Sequence, residues 1–308
     1  MQPSTQREYQ RLAEHFYARR LDGKLSPKRI QDALRSVGSE YRPAYWRRLR
    51  KAIEVDQRIK GYGDAADRIA DTVNPATADG ATEPPKAKQR RCRRVTEEDT
   101  RALAHDAERR GDEQMIAALV WARKTGLRPA EMPHARILDD GTVRIEGAKK
   151  SHEGKRGADR DLRLDADDLR NLRAYQDDLP KTAAEVGRLQ RRMQNVVRDV
   201  FPRRKARPSL YSWRHQLGSD LKAAGLDREE IATIMGHQGT GSVDQYGNRR
   251  SAGQCRAIPR AAAVNPGVRH THNLPYSQQP EREPAPVMDV DDDPMREPTP
   301  SRGHDLGV

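Results

Sequence analysis

Apolar positions recur at helical spacing along most of the chain and alternate over only one short stretch, so the pattern predicts a mainly α protein with a small β element. The first 75 residues read as a helical bundle. One helix falls near 5–20, and a second is opened by Ser26 as N-cap with Pro27 at the first helical position. Two more follow. In the segment 42–60, Tyr45, Leu49, Ile53 and Ile59 recur at near-helical spacing, with Arg47, Arg48, Arg50, Lys51 and Arg58 between them, which predicts one apolar and one basic face. Residues 76–94 hold Pro, Gly, Ala and Thr without periodicity and end in a basic cluster, as a linker does. Beyond it, Thr96 stands three residues before Asp99 in a capping-box pattern.

From 95 to 250 the pattern predicts a second domain of helices interrupted by a hairpin, TVRIEG (142–147) against RDLRL (160–164). Helices are expected near 166–177, 183–200, 211–224 and 228–235, the last capped by Asp227 with Glu230 three residues on. The remainder, 251–308, is read as a tail. After about residue 264 it turns acidic, with seven prolines between 275 and 300, and such a composition cannot offset its ordering entropy, so disorder is expected there.

Charge sharpens the picture. A formal net charge of +12 favours a polyanionic partner, because neutralising phosphates releases condensed counterions. Residues 1–60 carry 15 Lys and Arg against 7 Asp and Glu, and 86–94 carry six bases and no acid, whereas 273–308 hold 8 acids and 3 bases. The two cysteines, Cys92 and Cys255, lie far apart without partners at metal-ligand spacing, which argues against a disulfide or zinc site. The longest apolar run, 115–122, is too short to cross a membrane, and no apolar signal region opens the chain, so a cytoplasmic protein is expected.

Three segments carry the candidate chemistry: TGLRPAEM (125–132) with Arg128, SLYSWRHQLG (209–218) with Tyr211, Arg214 and His215, and IMGHQGTGSVDQYG (234–247) with His237 and Tyr246. Arginines, histidine, lysine and tyrosine without a carboxylate cluster suit phosphoryl transfer that uses no metal. Arginine stabilises charge on non-bridging phosphate oxygens, tyrosine needs a cationic setting to act as a nucleophile, and lysine or histidine can protonate a leaving oxygen. Any one of these residues alone is more often a surface or packing residue; the ordered set is what points to a site.

In this order and spacing the three segments resemble the catalytic domain of the tyrosine recombinases, the phage integrase family of site-specific recombinases, over about residues 95–250. The resemblance implies an N-terminal core-binding domain beside a catalytic domain, with Arg128 and Arg214 clamping the phosphate, His237 as the histidine of a glycine–histidine motif, and Tyr246 as nucleophile. It implies a lysine general acid, for which Lys149 matches better than the adjacent Lys150, and supporting roles for Glu131 and His215. Tyr211 departs from the pattern, since the family most often has histidine there; a tyrosine can still hydrogen-bond a phosphate oxygen. The implied reaction cleaves and rejoins DNA through a covalent 3′-phosphotyrosine, with no cofactor, on double-stranded DNA, by four protomers on two sites. A bacterial or phage-like, nucleoid-associated protein of a mobile element would fit it. Rival readings are a type IB topoisomerase, which the short N-terminal domain disfavours, an inactive DNA-binding relative, favoured only by Tyr211, and a helix-turn-helix regulator, which leaves the second and third segments unexplained.

Overall fold

A computed structural model describes residues 1, 3–22, 25–87, 92, 94–148, 150, 157–253 and 257–271. The chain divides into two compact units between residues 88 and 89, inside the stretch read as a linker.

The first unit is built from α1 (Pro3–Arg20), α2 (Pro27–Ser36), α3 (Pro43–Ile59) and α4 (Gly63–Ala70). Ser26 caps α2 by accepting from the Arg29 backbone N–H at 3.3 Å, with Pro27 at the first helical position where no amide hydrogen is needed. Leu12, Phe16, Ile30, Leu34, Trp46, Leu49, Ile53 and Ile69 form the core. Its largest member, Trp46, donates its indole N–H to the Leu34 carbonyl at 2.8 Å, so burial costs it no hydrogen bond. The stripe of α3 is therefore centred on Trp46, Leu49 and Ile53, while Tyr45 is half-buried and Ile59 is exposed on the last turn. Along that last turn the buried positions are polar: Asp56 accepts from Tyr17 Oη and from Lys60 Nζ, both at 2.9 Å. Much of the basic face of α3 is neutralised inside the unit. Arg48 pairs with Glu8, Lys51 with Glu54, and Arg58 with Glu54 and Asp67.

The second unit contains α5 (Glu97–Arg110), α6 (Glu113–Thr125), a 3-10 turn (Pro129–His134), β1 (Ala135–Ile137), β2 (Val143–Ile145), β3 (Arg160–Arg163), α7 (Ala166–Ala174), α8 (Ala183–Val200), α9 (Ser212–Ala223), α10 (Arg228–Ile234), a second 3-10 turn (Thr240–Gln245) and β4 (Arg260–Ala261). The expected hairpin is β2 with β3, in the register Val143↔Leu162 and Ile145↔Arg160, and β1 and β4 extend it to an antiparallel sheet ordered β1-β2-β3-β4. β4 lies in the stretch assigned to the tail by composition. Residues beyond 250 thus join this unit, with Val268 buried and Thr271 bonded to the 3-10 turn through Gly241 N–H at 2.7 Å. The expectation of disorder falls mainly on 272–308, outside the described residues.

Packing explains why α6 is apolar nearly all round. Met115, Ile116, Leu119 and Trp121 are buried against other helices, and Trp121 donates to the Leu172 carbonyl at 3.1 Å. The capping box at Thr96 and Asp99 closes in both directions, at 3.1 Å each. The overall class is the expected one, mainly helical with a small sheet.

Trp46→Ala is expected to cost the first unit about 3–5 kcal/mol, since it removes an aromatic core and leaves the Leu34 carbonyl without its donor. Urea unfolding followed by circular dichroism should show the loss; an unchanged transition would contradict this account of the core.

Candidate active site

Arg128 leaves α6 through a left-handed turn. Gly126 has φ +59°, and a Cβ there would lie 2.5 Å from Leu217 Cδ2, so both conformation and space require glycine. Pro129 then starts the 3-10 turn, and Glu131 reaches back: its Oε2 accepts from the Arg128 backbone N–H at 2.8 Å, while its Oε1 pairs with the Arg128 guanidinium. Arg160 completes the arrangement by donating to Glu131 Oε2 at 2.8 Å. The side chains of Glu131 and Arg160 are both 0% exposed. Burial is the largest influence on the Glu131 carboxyl and would raise its pKa, but Arg160, Arg128 and Arg214 outweigh it and hold the group well below the usual carboxylate range. Burial works against the Arg128 charge too, yet Glu131 and the nearby tyrosines push its pKa above the ordinary value.

Arg214, on the first turn of α9, is fully buried. It donates Nη1 to the Gly126 carbonyl at 2.9 Å and Nη2 to the Met235 carbonyl, and Nη2 also lies 3.0 Å from His237 Nε2. Burial and then the like charge of Arg128 lower its pKa to about 10, which leaves it charged at neutral pH. The glycine–histidine pair has a local cause: α10 ends in a Schellman closure, with His237 N–H to the Ala232 carbonyl at 2.8 Å and Gly236 N–H to the Thr233 carbonyl at 2.9 Å. Gly236 has φ +61°, and a Cβ there would meet the Ala158 carbonyl oxygen and Arg160 Nη1 at 2.9 Å. Burial first, then the charges of Arg214, Arg128 and Arg160, depress the His237 pKa, so the ring is neutral near pH 7. Arginine can only donate, so Nε2 accepts and the proton sits on Nδ1. His237 Nδ1 and Arg214 Nε are buried without a hydrogen-bond partner among the described residues.

Tyr246 follows the second 3-10 turn and is half-buried under these groups. Arg214 Cζ lies 4.9 Å from its ring centroid, and the rings of His237 and His215 lie 4.9 and 5.0 Å away. Its hydroxyl is 2.5 Å from that of Tyr211. Burial, the largest single influence, favours the neutral phenol, but Arg214, Arg128 and hydrogen bonds from Tyr211 and Arg214 together bring Tyr246 down to about 8. The Tyr211 hydroxyl is pushed up to about 12, chiefly by burial.

The structure thus gathers Arg128, Tyr211, Arg214, His237 and Tyr246 in one place, with Glu131 and His215 in support. Lys149 lies outside the described residues, and Lys150 pairs with Asp159 at 2.7 Å. Three contributors are not evident from the motifs. Arg160 shares the buried face of β3 with Leu162, so a charge at an alternating apolar position was its signal. Gly218 allows close approach, a Cβ there falling 3.1 Å from Tyr246 Cβ, and Lys222 donates to the carbonyls of Tyr246 and Gly247 at 2.6 and 2.9 Å. Gly218 and Lys222 lie four and eight residues after Arg214 on one face of α9.

No family model matches the chain, and no curated protein matches it. Among solved structures it is similar to a lambda integrase dimer bound to a COC' core site, at 18% identity and TM-score 0.55, and to a lambda integrase tetramer bound to a Holliday junction, at 15% and 0.51. Each alignment covers 81% of this chain and 73% of the other. XerA recombinase aligns over 79% of this chain and 87% of its own, at 17% identity and TM-score 0.39. These neighbours are tyrosine recombinases, and the chain has the fold of the integrase structures.

Glu131→Gln should destabilise the second unit by about 3–5 kcal/mol at neutral pH, because it leaves two buried arginines without their anion. The folded carboxyl has a depressed pKa, so its stabilisation is present above the ordinary glutamate value of about 4.3 and is lost as pH falls through the lowered folded value. Thermal unfolding across pH should therefore show a gap between variant and wild type that narrows in acid; identical curves at neutral pH would refute it.

Proposed function

We propose that the chain is a site-specific DNA recombinase that cleaves and rejoins strands through a 3′-phosphotyrosyl bond at Tyr246. One observation carries the reading: Tyr246 lies in the field of Arg214 and Arg128 with its ring against that of His237, and the carboxylate nearby, Glu131, is already neutralised by two arginines. A phenol in that field ionises more readily, and Arg128, with Arg214 Nε and His237 Nδ1, which have no partner among the described residues, supplies hydrogen bonds suited to a phosphate under attack.

In this reading Tyr246 attacks phosphorus, the 5′-oxygen leaves with a proton from a lysine, and a 5′-hydroxyl of a second duplex later reverses the step. Lys149 is the lysine we assign, ahead of Lys150, whose ammonium is held by Asp159. The bond energy is kept in the covalent intermediate, so the exchange needs no nucleotide cofactor. The first unit acts as a core-binding domain on double-stranded DNA. Four protomers on two sites, the assembly implied by the tyrosine recombinase resemblance, would complete a strand exchange, in a nucleoid-associated setting such as a mobile element.

Wild type and Tyr246→Phe, incubated in EDTA with a genome-fragment pool and with supercoiled plasmid, should differ on denaturing gels: a covalent protein–DNA adduct from wild type and none from the variant. DNA binding by both without an adduct from either would favour an inactive DNA-binding relative.

A further inference from the structure

The tyrosine at 211 is more than a substitute acceptor for phosphate. Between the two phenol oxygens, 2.5 Å apart, there is room for one hydrogen, so one hydroxyl donates and the other accepts. The groups facing Tyr246 decide which. From α9 come the Arg214 guanidinium and the His215 ring, from the turn after α6 comes Arg128, and from the end of α10 comes His237. Behind them, Glu131 is tied to Arg128 and Arg160, and Lys222 holds the Tyr246 carbonyl. Among the described residues, two cations thus act on Tyr246, and the carboxylate behind them, Glu131, is already paired. Arg214 and Arg128 act on Tyr211 as well, but the Arg214 guanidinium stands over the Tyr246 ring and burial outweighs the arginines at Tyr211, so Tyr211 is the hydroxyl that keeps its proton.

We propose that Tyr211 is a catalytic hydrogen-bond donor to the Tyr246 phenoxide, stabilising the nucleophile as an anion and aiming its free lone pair before attack. This rests on Tyr246 being the nucleophile. A charge-assisted O–H···O⁻ bond is stronger than a neutral one, so a hydroxyl held in hydrogen-bond contact with the Tyr246 oxygen favours its anion. The Tyr246 proton departs to solvent. The Tyr246 oxygen then bonds to phosphorus as the bond to the 5′-oxygen breaks, and that oxygen takes its proton from a separate acid. Tyr211 keeps its own hydrogen throughout.

Tyr211→Phe removes one oxygen and keeps the ring packed against His215, so it isolates the bond. The test is an ultraviolet titration of tyrosine ionisation in the full-length chain without DNA, on wild type, Tyr246→Phe, Tyr211→Phe and Tyr211→His. Wild type should show one tyrosine ionising near pH 8 that is missing from Tyr246→Phe. In Tyr211→Phe its midpoint should rise by about one to two pH units, the worth of a hydrogen bond to a charged group, and Tyr211→His, which restores a donor, should bring it part of the way back. An unshifted midpoint in Tyr211→Phe, or no such tyrosine in wild type, overturns the proposal. Because this readout needs no DNA, its failure is separate from a missing adduct, which counts against the recombinase reading. Where adducts form, Tyr211→Phe should slow them about tenfold to a hundredfold near neutral pH, with the deficit closing in alkali where ionisation no longer limits; a deficit equal at every pH would mark Tyr211 as merely structural.

Discussion

Everything in the second unit's chemistry depends on one buried carboxylate. Three arginines, Arg128, Arg160 and Arg214, converge on a region that excludes water, and Glu131 is the anion that makes their company tolerable. Buried like charges repel strongly where the effective dielectric is low, and an unpaired buried ion costs several kcal/mol. Glu131 neutralises part of that charge and leaves a net positive field. Burial first and then this field keep His237 neutral, and the field favours the ionised form of Tyr246 against burial. The carboxylate is placed by chain geometry: the left-handed turn at Gly126, the ring of Pro129 and the return bond to the Arg128 amide form one rigid corner.

Helix α9 organises the other half. Its N-cap is Tyr211 and its first turn presents Arg214, and one turn later Gly218 gives the Tyr246 segment room to lie against the helix. One turn further on, Lys222 clamps the carbonyls that follow, while Ser219 Oγ accepts from Asn248 N–H at 3.0 Å. Gly247, at φ +61°, sits so close to Ser219 that a Cβ would fall 2.4 Å from its backbone nitrogen, so glycine after the tyrosine is a requirement of the docking. Tyr211, Arg214 and the contacts that hold the Tyr246 segment thus come from one helix.

Local signals carried much of this in the sequence. Ser26, Thr96 and Asp227 mark helix starts because a side-chain oxygen must meet an orphan amide, and each does so in the structure. The β2–β3 pairing was readable from alternation that runs beyond the paired residues, in TVRIEG and RDLRL, whereas β1 and β4 have no such flanking alternation. Arg128, Tyr211, Arg214, His237 and Tyr246 were legible as an ordered set, although their convergence was visible only through the resemblance. Arg160 left only a weak signal, a charge at an apolar position of a four-residue strand, because its partner Glu131 lies far away in the sequence. Ile59, apolar and suitably spaced, proved exposed because the α3 stripe turns with the helix and the last turn buries Asp56 and Gln57 instead.

The most direct test of the account is to identify the residue that carries DNA. Adducts trapped from wild type can be digested with nuclease and protease, and the nucleotide-bearing peptide sequenced by mass spectrometry. The account predicts a nucleotide linked through phosphate to the Tyr246 oxygen. A nucleotide on Tyr211 or on any other residue would contradict it.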